Sequence, residues 1–196
     1  GDPHEKVVIN TLNDISYRCF EAHFPDASSR PQVLWGNKES RATKTECFSR
    51  AMETTRREFP GLTLLSPENR SFLENEINWL KACIYFTEKE YMEADRTKTG
   101  RKEEEVKMLP KRSVQRRAVF KLYENLRQEM RVINCCEFID TEIAAINYAR
   151  KNPVEKYAHI IVDESQDLTR LQLEFLRHLV EPKKHGTVTF LYDTSQ

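Results

Sequence analysis

Tyr157-Ala158-His159-Ile160-Ile161-Val162-Asp163-Glu164-Ser165-Gln166-Asp167-Leu168 is the stretch that decides how this chain is read. Its apolar run, Ile160-Ile161-Val162, ends abruptly in two adjacent carboxylates and, two residues on, an amide. That pattern predicts a buried parallel strand whose C-terminal end opens into a site, where open α/β sheets bind their ligands. Downstream, Leu168, Leu171, Phe175, Leu176 and Leu179 recur at helical spacing and predict a helix from Leu168 to Val180. Gly186 and a second apolar strand, Val188 to Tyr192, follow, and the sequence then reads Asp193-Thr194-Ser195-Gln196. Strand, helix and strand in this order form a βαβ crossover, which brings both polar strand ends to the same edge of the sheet. Asp163, Glu164 and Gln196 are therefore expected to meet.

These residue types suit nucleotide hydrolysis. Magnesium takes hard oxygen ligands and keeps several waters, so one or two carboxylates beside substrate phosphates hold it, and Asp163 fits that role. The attacking water must be oriented and relieved of a proton, and Glu164 is the candidate base. Gln166 and Gln196 both donate and accept hydrogen bonds, so either can register a γ-phosphate without repelling it. A plainer reading makes Asp163 and Ser165 caps of the following helix. Caps alone do not require an apolar strand before them, a crossover after them and a second strand ending in D-x-x-Q, so the nucleotide reading is preferred.

Composition narrows the remaining classes. A chain of 196 residues fits one domain, or one domain with an insertion. No apolar run approaches the roughly 20 residues of a membrane helix, and the N-terminus has no basic segment leading into an apolar one, so no membrane role is expected. With 31 basic and 31 acidic residues there is no overall pull toward nucleic acid, and any such pull must be local. The five cysteines show no C-x-x-C pairing, which suits a reducing interior and no structural metal. No G-x-x-x-x-G-K-[ST] phosphate loop occurs in these residues.

Outward from the opening stretch, Val7-Val8-Ile9 predicts a short strand, and Thr11-Leu12-Asn13-Asp14 opens a helix through Phe20 with Asn13 or Asp14 as its cap. A loop from Phe24 to Asn37 surrounds a short strand at Val33 to Trp35, and Ser40 to Phe59 is helical. Leu73, Ile77, Leu80 and Ile84 mark an amphipathic helix within Asn69 to Glu93, broken near Thr87. Val119, Leu122, Leu126 and Met130 repeat the pattern from Ser113 to Arg131, and Ile139, Ile143 and Ile146 do so before Asn152-Pro153. Phe72 and Trp79 fall near the apolar face of their helix and read as core. Strands at both ends with an all-helical middle predict one α/β sheet interrupted by a helical insertion of roughly a hundred residues. Between Arg96 and Arg117 the basic residues outnumber the acidic by six, which is either a solvated surface or a contact for DNA phosphates.

The series from Tyr157 to Leu168, with Leu191-Tyr192-Asp193-Thr194-Ser195-Gln196 downstream, resembles the Walker B motif and the next motif of UvrD/Rep-type superfamily 1 DNA helicases. Glutamine directly after D-E-x, followed by aspartate, is similar to this branch. Val8 to Ile15 resembles the strand-to-helix motif in which a threonine contacts single-stranded DNA. Phe72 to Trp79, then Glu90 to Arg96 with Gly100-Arg101, resembles the helical insertion of bacterial members. The resemblance implies an α/β fold with a partial RecA-like parallel sheet of the P-loop NTPase type. Residues 1–66 and 153–196 would form the motor domain and 67–152 an all-helical insertion.

It also implies ATP and Mg2+ as cofactors, with Asp163 and Glu164 on the metal, Glu164 activating water, and Gln166 and Gln196 at the γ-phosphate. Thr11, Asn13, Arg96 and Arg101 would face the DNA, a single strand or a single-strand/duplex junction, in a cytoplasmic bacterial protein of DNA repair. Two features depart from the pattern. Tyr192 stands where members usually have glycine, and the chain begins after the place of the phosphate-binding lysine loop and stops before the second RecA-like domain with its arginine finger. The expectation is a fragment that alone neither turns over ATP nor unwinds DNA. One rival is a catalytically inactive helicase-like module that binds nucleic acid or protein. Another, a magnesium-dependent nuclease using Asp163 and Glu164, lacks an accompanying carboxylate and lysine cluster.

Overall fold

The structure, a computed structural model, describes residues 7–95, 109–182 and 186–193. Arg96, Arg101 and Gln196 lie outside the described residues. In chain order come α1 (Leu12–His23), β1 (Gln32–Leu34), α2 (Lys38–Glu58), α3 (Arg70–Ala82), α4 (Glu88–Glu93), α5 (Val114–Val132), β2 (Cys135–Glu137), α6 (Phe138–Lys151), β3 (His159–Val162), α7 (Arg170–Leu179) and β4 (Thr187–Phe190). They divide into two compact units, one of Pro31–Ile139 and one of Gly1–Arg30 with Asp140–Gln196. No helix among the described residues is long and apolar enough to cross a membrane.

The 31–139 unit is built on α2 and α5. Phe48, Ala51 and Met52 on α2 and Val119, Leu122, Leu126 and Met130 on α5 share one buried cluster with Leu73, Ile77 and Leu80 of α3. Helical spacing places these side chains on one stripe of each helix, and their burial supplies the main favourable term for the unit. Phe72 and Trp79 pack against the same cluster, as the spacing predicts. Ile84, counted with the apolar stripe of α3, instead takes a left-handed backbone with φ of 61° just beyond the helix. The break near Thr87 is real. Thr87 accepts from the Glu90 amide and receives the Glu90 side chain on its own amide, a reciprocal cap that starts α4.

The middle of the chain is not all helical. β2 pairs in parallel with β1, from Gln32 opposite Cys135 to Leu34 opposite Glu137. Strands of three residues set between helices leave no alternation for a period of two to show, which is why Cys135 to Glu137 reads as part of the helical run.

In the other unit β3 and β4 run parallel, from His159 opposite Thr187 to Val162 opposite Phe190, with α7 between them in sequence. The βαβ reading of the opening stretch is what forms. Thr169 and Gln172 make a second reciprocal cap at the start of α7, which buries Leu171, Phe175, Leu176 and Leu179. The Gln172 amide donates to Glu142 at 2.9 Å, Arg150 pairs with Glu174 at 3.1 Å, and the His23 and Tyr148 rings lie 6.3 Å apart, tying α7 and α1 to α6.

Four expectations differ from the structure. The apolar strand is not fully buried: Ile161 is 71 % exposed, because among the described residues β3 pairs with β4 alone and one face lies open. Val7 to Ile9 forms no strand, and Val7 and Ile9 are 86 % and 93 % exposed; β-branched residues without a strand beside them do not hold an extended ladder. Thr11, not Asn13 or Asp14, caps α1, accepting from the Asp14 amide at 3.1 Å. In place of one interrupted sheet, the described residues carry two separate parallel pairs.

Candidate functional site

The end of β3 is stitched to the end of β4 beyond their paired residues. The Leu191 amide donates to the Val162 carbonyl at 2.8 Å, and the Ser165 amide donates to the Leu191 carbonyl at 2.9 Å. These two bonds set Asp163 and Glu164 beside Leu191, from which Tyr192 and Asp193 continue. The parallel register thus brings the two polar strand ends to one edge as far as Asp193. Gln196, the third member of the expected meeting, lies outside the described residues.

Glu164 turns the chain out of the strand in the left-handed region, with φ 50° and ψ 40°. For a residue with a Cβ this conformation costs about 1–2 kcal/mol, so its neighbours must hold it. They do so by hydrogen bonds. The Glu164 amide donates to Asp163 Oδ1 at 3.0 Å, and the Asp167 amide donates to the Glu164 carbonyl at 3.1 Å, closing a 3-10 turn over Ser165–Asp167. Gln166 Nε2 donates to Glu164 Oε2 at 2.5 Å. Asp163, Glu164 and Gln166 are all exposed and form one small polar cluster.

Neither Asp163 nor Glu164 makes an ion pair among the described residues. Two adjacent carboxylates with no compensating cation attract one, and their hard oxygens match magnesium in preference to softer metals. No third histidine, cysteine or acid among the described residues completes a cage around an ion. That donor set suits a cation that draws its other ligands from water and phosphate oxygens. The Gln166 amide steadies Glu164 at this open edge.

The remaining expected site residues divide. Thr11 and Asn13 lie exposed at the start of α1, in the same compact unit as Asp163 and Glu164. The Thr11 hydroxyl already serves as the helix cap. In the basic segment, the described arginines are engaged within the protein. Arg112 pairs with Glu93 at 2.5 Å and Arg117 with Glu88 at 3.2 Å. Arg116 is 2 % exposed and donates to the carbonyls of Leu109, Tyr91, Met92 and Ala94 over 2.8–3.0 Å. A guanidinium with five donors is suited to gather carbonyls left over by α4 and the loop before α5. Counting charges along the sequence credits these three to a surface that they do not form as free cations.

One charged group escaped the sequence reading altogether. Glu137, at the end of β2 and 8 % exposed, sits between Lys44 and Lys81, with Lys81 Nζ at 2.7 Å from Oε2. Burial pushes its carboxyl upward, but the charges and hydrogen bonds of Lys81 and Lys44 outweigh burial and hold it at about 2. Lys81 lies far from it in sequence, so no local spacing announces the pair.

Compared with known protein families, residues 1–196 match the description "UvrD/REP helicase N-terminal domain". Neither a search of curated proteins nor one of solved structures found a match.

Proposed function

The chain belongs to the UvrD/REP helicase N-terminal domain family, and from that premise we propose that it is part of the ATP-driven motor of a DNA helicase, hydrolysis being coupled to movement along single-stranded DNA. The observation that carries this reading is that Asp163 and Glu164, exposed and without an ion pair among the described residues, stand at the shared end of two parallel strands. Asp163 and Glu164 are the residues that would hold magnesium. When bound, the ion supplies charge neutralisation at the β- and γ-phosphates. Glu164 takes the proton of the attacking water, and Gln166 orients the carboxylate that does so. Thr11 and Asn13 would face the DNA, a single strand or its junction with duplex; the same role for Arg96 and Arg101, and an approach of Gln196 to the γ-phosphate, fall on residues outside those described.

The phosphate cradle, the second RecA-like domain and its arginine are supplied by other segments of the same motor in this reading. The 196 residues contain no G-x-x-x-x-G-K-[ST], so the polypeptide by itself should not turn over ATP. A sensitive phosphate-release assay on this polypeptide, with and without single-stranded DNA, is expected to read background. Hydrolysis that vanishes in Glu164→Gln would show that the cradle is dispensable. A helicase-like module without catalysis would instead show no DNA-stimulated ATPase even as the intact protein.

A further inference from the structure

We propose that Glu142 and Gln172 are positioning residues for the acidic edge, holding through the Thr169 amide the far end of the turn that carries Glu164 and Gln166. Both lie in the same compact unit as that edge, Glu142 on α6 and Gln172 on α7. Their role rests on the reading of Glu164 as the base of nucleotide hydrolysis, to which they add support from outside the acidic cluster.

The turn over Ser165–Asp167 is anchored at both ends. At its near end the Ser165 amide donates to the Leu191 carbonyl, just past β4, at 2.9 Å. Beyond its far end the Thr169 amide donates to Gln172 Oε1 at 3.0 Å, and the Gln172 backbone amide donates back to Thr169 Oγ1 at 3.2 Å. Both bonds of that cap lie within the first turn of α7, so they tie the turn to α7 alone. The bond that reaches another helix runs from Gln172 Nε2 to Glu142 Oε1, at 2.9 Å. It also decides which way the Gln172 amide faces. With oxygen toward Thr169 and nitrogen toward Glu142, each group meets its complement; turned over, nitrogen would meet the Thr169 N–H and oxygen would meet the Glu142 oxygen. An acceptor at position 142 therefore selects the orientation that caps the turn.

Packing alone does not call for an acid at this place. Glu142 is 6 % exposed and forms no ion pair among the described residues. Its buried neighbours along α6 include Ala145, Ile146 and Ala149, a face that an apolar side chain would continue. Burial pushes the Glu142 carboxyl upward, and the Gln172 hydrogen bond offsets only part of that. A buried acid is costly unless it is bonded, and the bond it makes goes to the cap. What the cap secures is the left-handed Glu164, whose turn is closed by the Asp167 amide on the Glu164 carbonyl at 3.1 Å and the Leu168 amide on the Ser165 carbonyl at 3.3 Å, just before Thr169. A base displaced slightly from its water loses rate, while nucleotide affinity, spread over many contacts, changes little.

Glu142→Leu removes the acceptor with little change of volume, and Glu142→Gln keeps it. In the intact protein, hydrogen exchange of the 163–169 segment, read by mass spectrometry, should quicken about tenfold or more in Glu142→Leu, and Glu142→Gln should restore the natural rate. DNA-stimulated ATP hydrolysis should follow, with kcat about tenfold lower in Glu142→Leu, KM for magnesium ATP within about threefold, and kcat rescued to within about twofold by Glu142→Gln. Gln172→Met removes the other end of the same bond at a half-buried position. It should match Glu142→Leu, and it carries the test if that variant does not fold by circular dichroism. Natural exchange in the folded variants, a natural kcat despite faster exchange, or a Glu142→Gln as impaired as Glu142→Leu overturns the proposal. Failure of the underlying reading looks different: hydrolysis untouched by Glu164→Gln removes the base, and the hold of Glu142 on the turn is then judged by exchange alone.

Discussion

Glu164 combines a carboxylate with a left-handed backbone, and substitution separates the two. Glycine carries no Cβ penalty at φ 50°, so Glu164→Gly should raise the unfolding free energy by about 1 kcal/mol, whereas Glu164→Gln, at an exposed position with no ion pair among the described residues, should leave it within about 0.5 kcal/mol. Urea unfolding of both variants checks this, and equal stabilities would mean that the turn stores no strain. Glu137 has a pH signature of its own. Burial raises its carboxyl, Lys81 and Lys44 lower it more, and the result is about 2. Since the folded value lies below the unfolded one, the stability it contributes is present above about pH 5 and is lost as pH falls toward 2. Glu137→Gln should cost on the order of 3 kcal/mol at pH 7 and almost nothing at pH 2, seen by unfolding at both pH values. The contrast between these residues explains what was legible. Asp163 and Glu164 announce themselves because the change from apolar strand to acid is local. Glu137 acquires its meaning from Lys81, 56 residues away, and from Lys44, farther still, and no pattern along the chain records those distances.

Among the elements, the helices were legible wherever an apolar stripe had to be buried. α3, α5 and α7 appear within a few residues of where leucines and isoleucines place them. The short strands were less so. Val7 to Ile9 has strand composition but no strand beside it, while Cys135 to Glu137 has no strand composition and forms a ladder because β1 is there to meet it. Composition also overstates the interior of β3. Ile161→Thr should change stability by less than about 0.5 kcal/mol, because the side chain is 71 % exposed. Phe175→Ala on α7, at 1 % exposure, should cost about 3–5 kcal/mol. Thermal unfolding of the two variants distinguishes them, and a large loss in Ile161→Thr would show that the open face of β3 is covered.

At the scale of the whole molecule, the described residues form two units with different resources. The 31–139 unit holds the large aliphatic cluster and the buried ion triad, while the other unit holds β3, β4 and the acidic edge. Parallel pairing in the second unit was legible from a crossover read in the sequence, and it sets Asp163 and Glu164 where two strand ends meet. The division of labour between the units was not, because the strand pair of the first unit is built from residues about a hundred positions apart. The role of Glu164 as the base of a magnesium-dependent nucleotide hydrolase is open to test through DNA-stimulated ATP hydrolysis by the intact protein. Glu164→Gln is predicted to lower kcat by about 100-fold or more with KM for magnesium ATP changed by only a few-fold. A variant that hydrolyses ATP at the rate of the natural protein would contradict it.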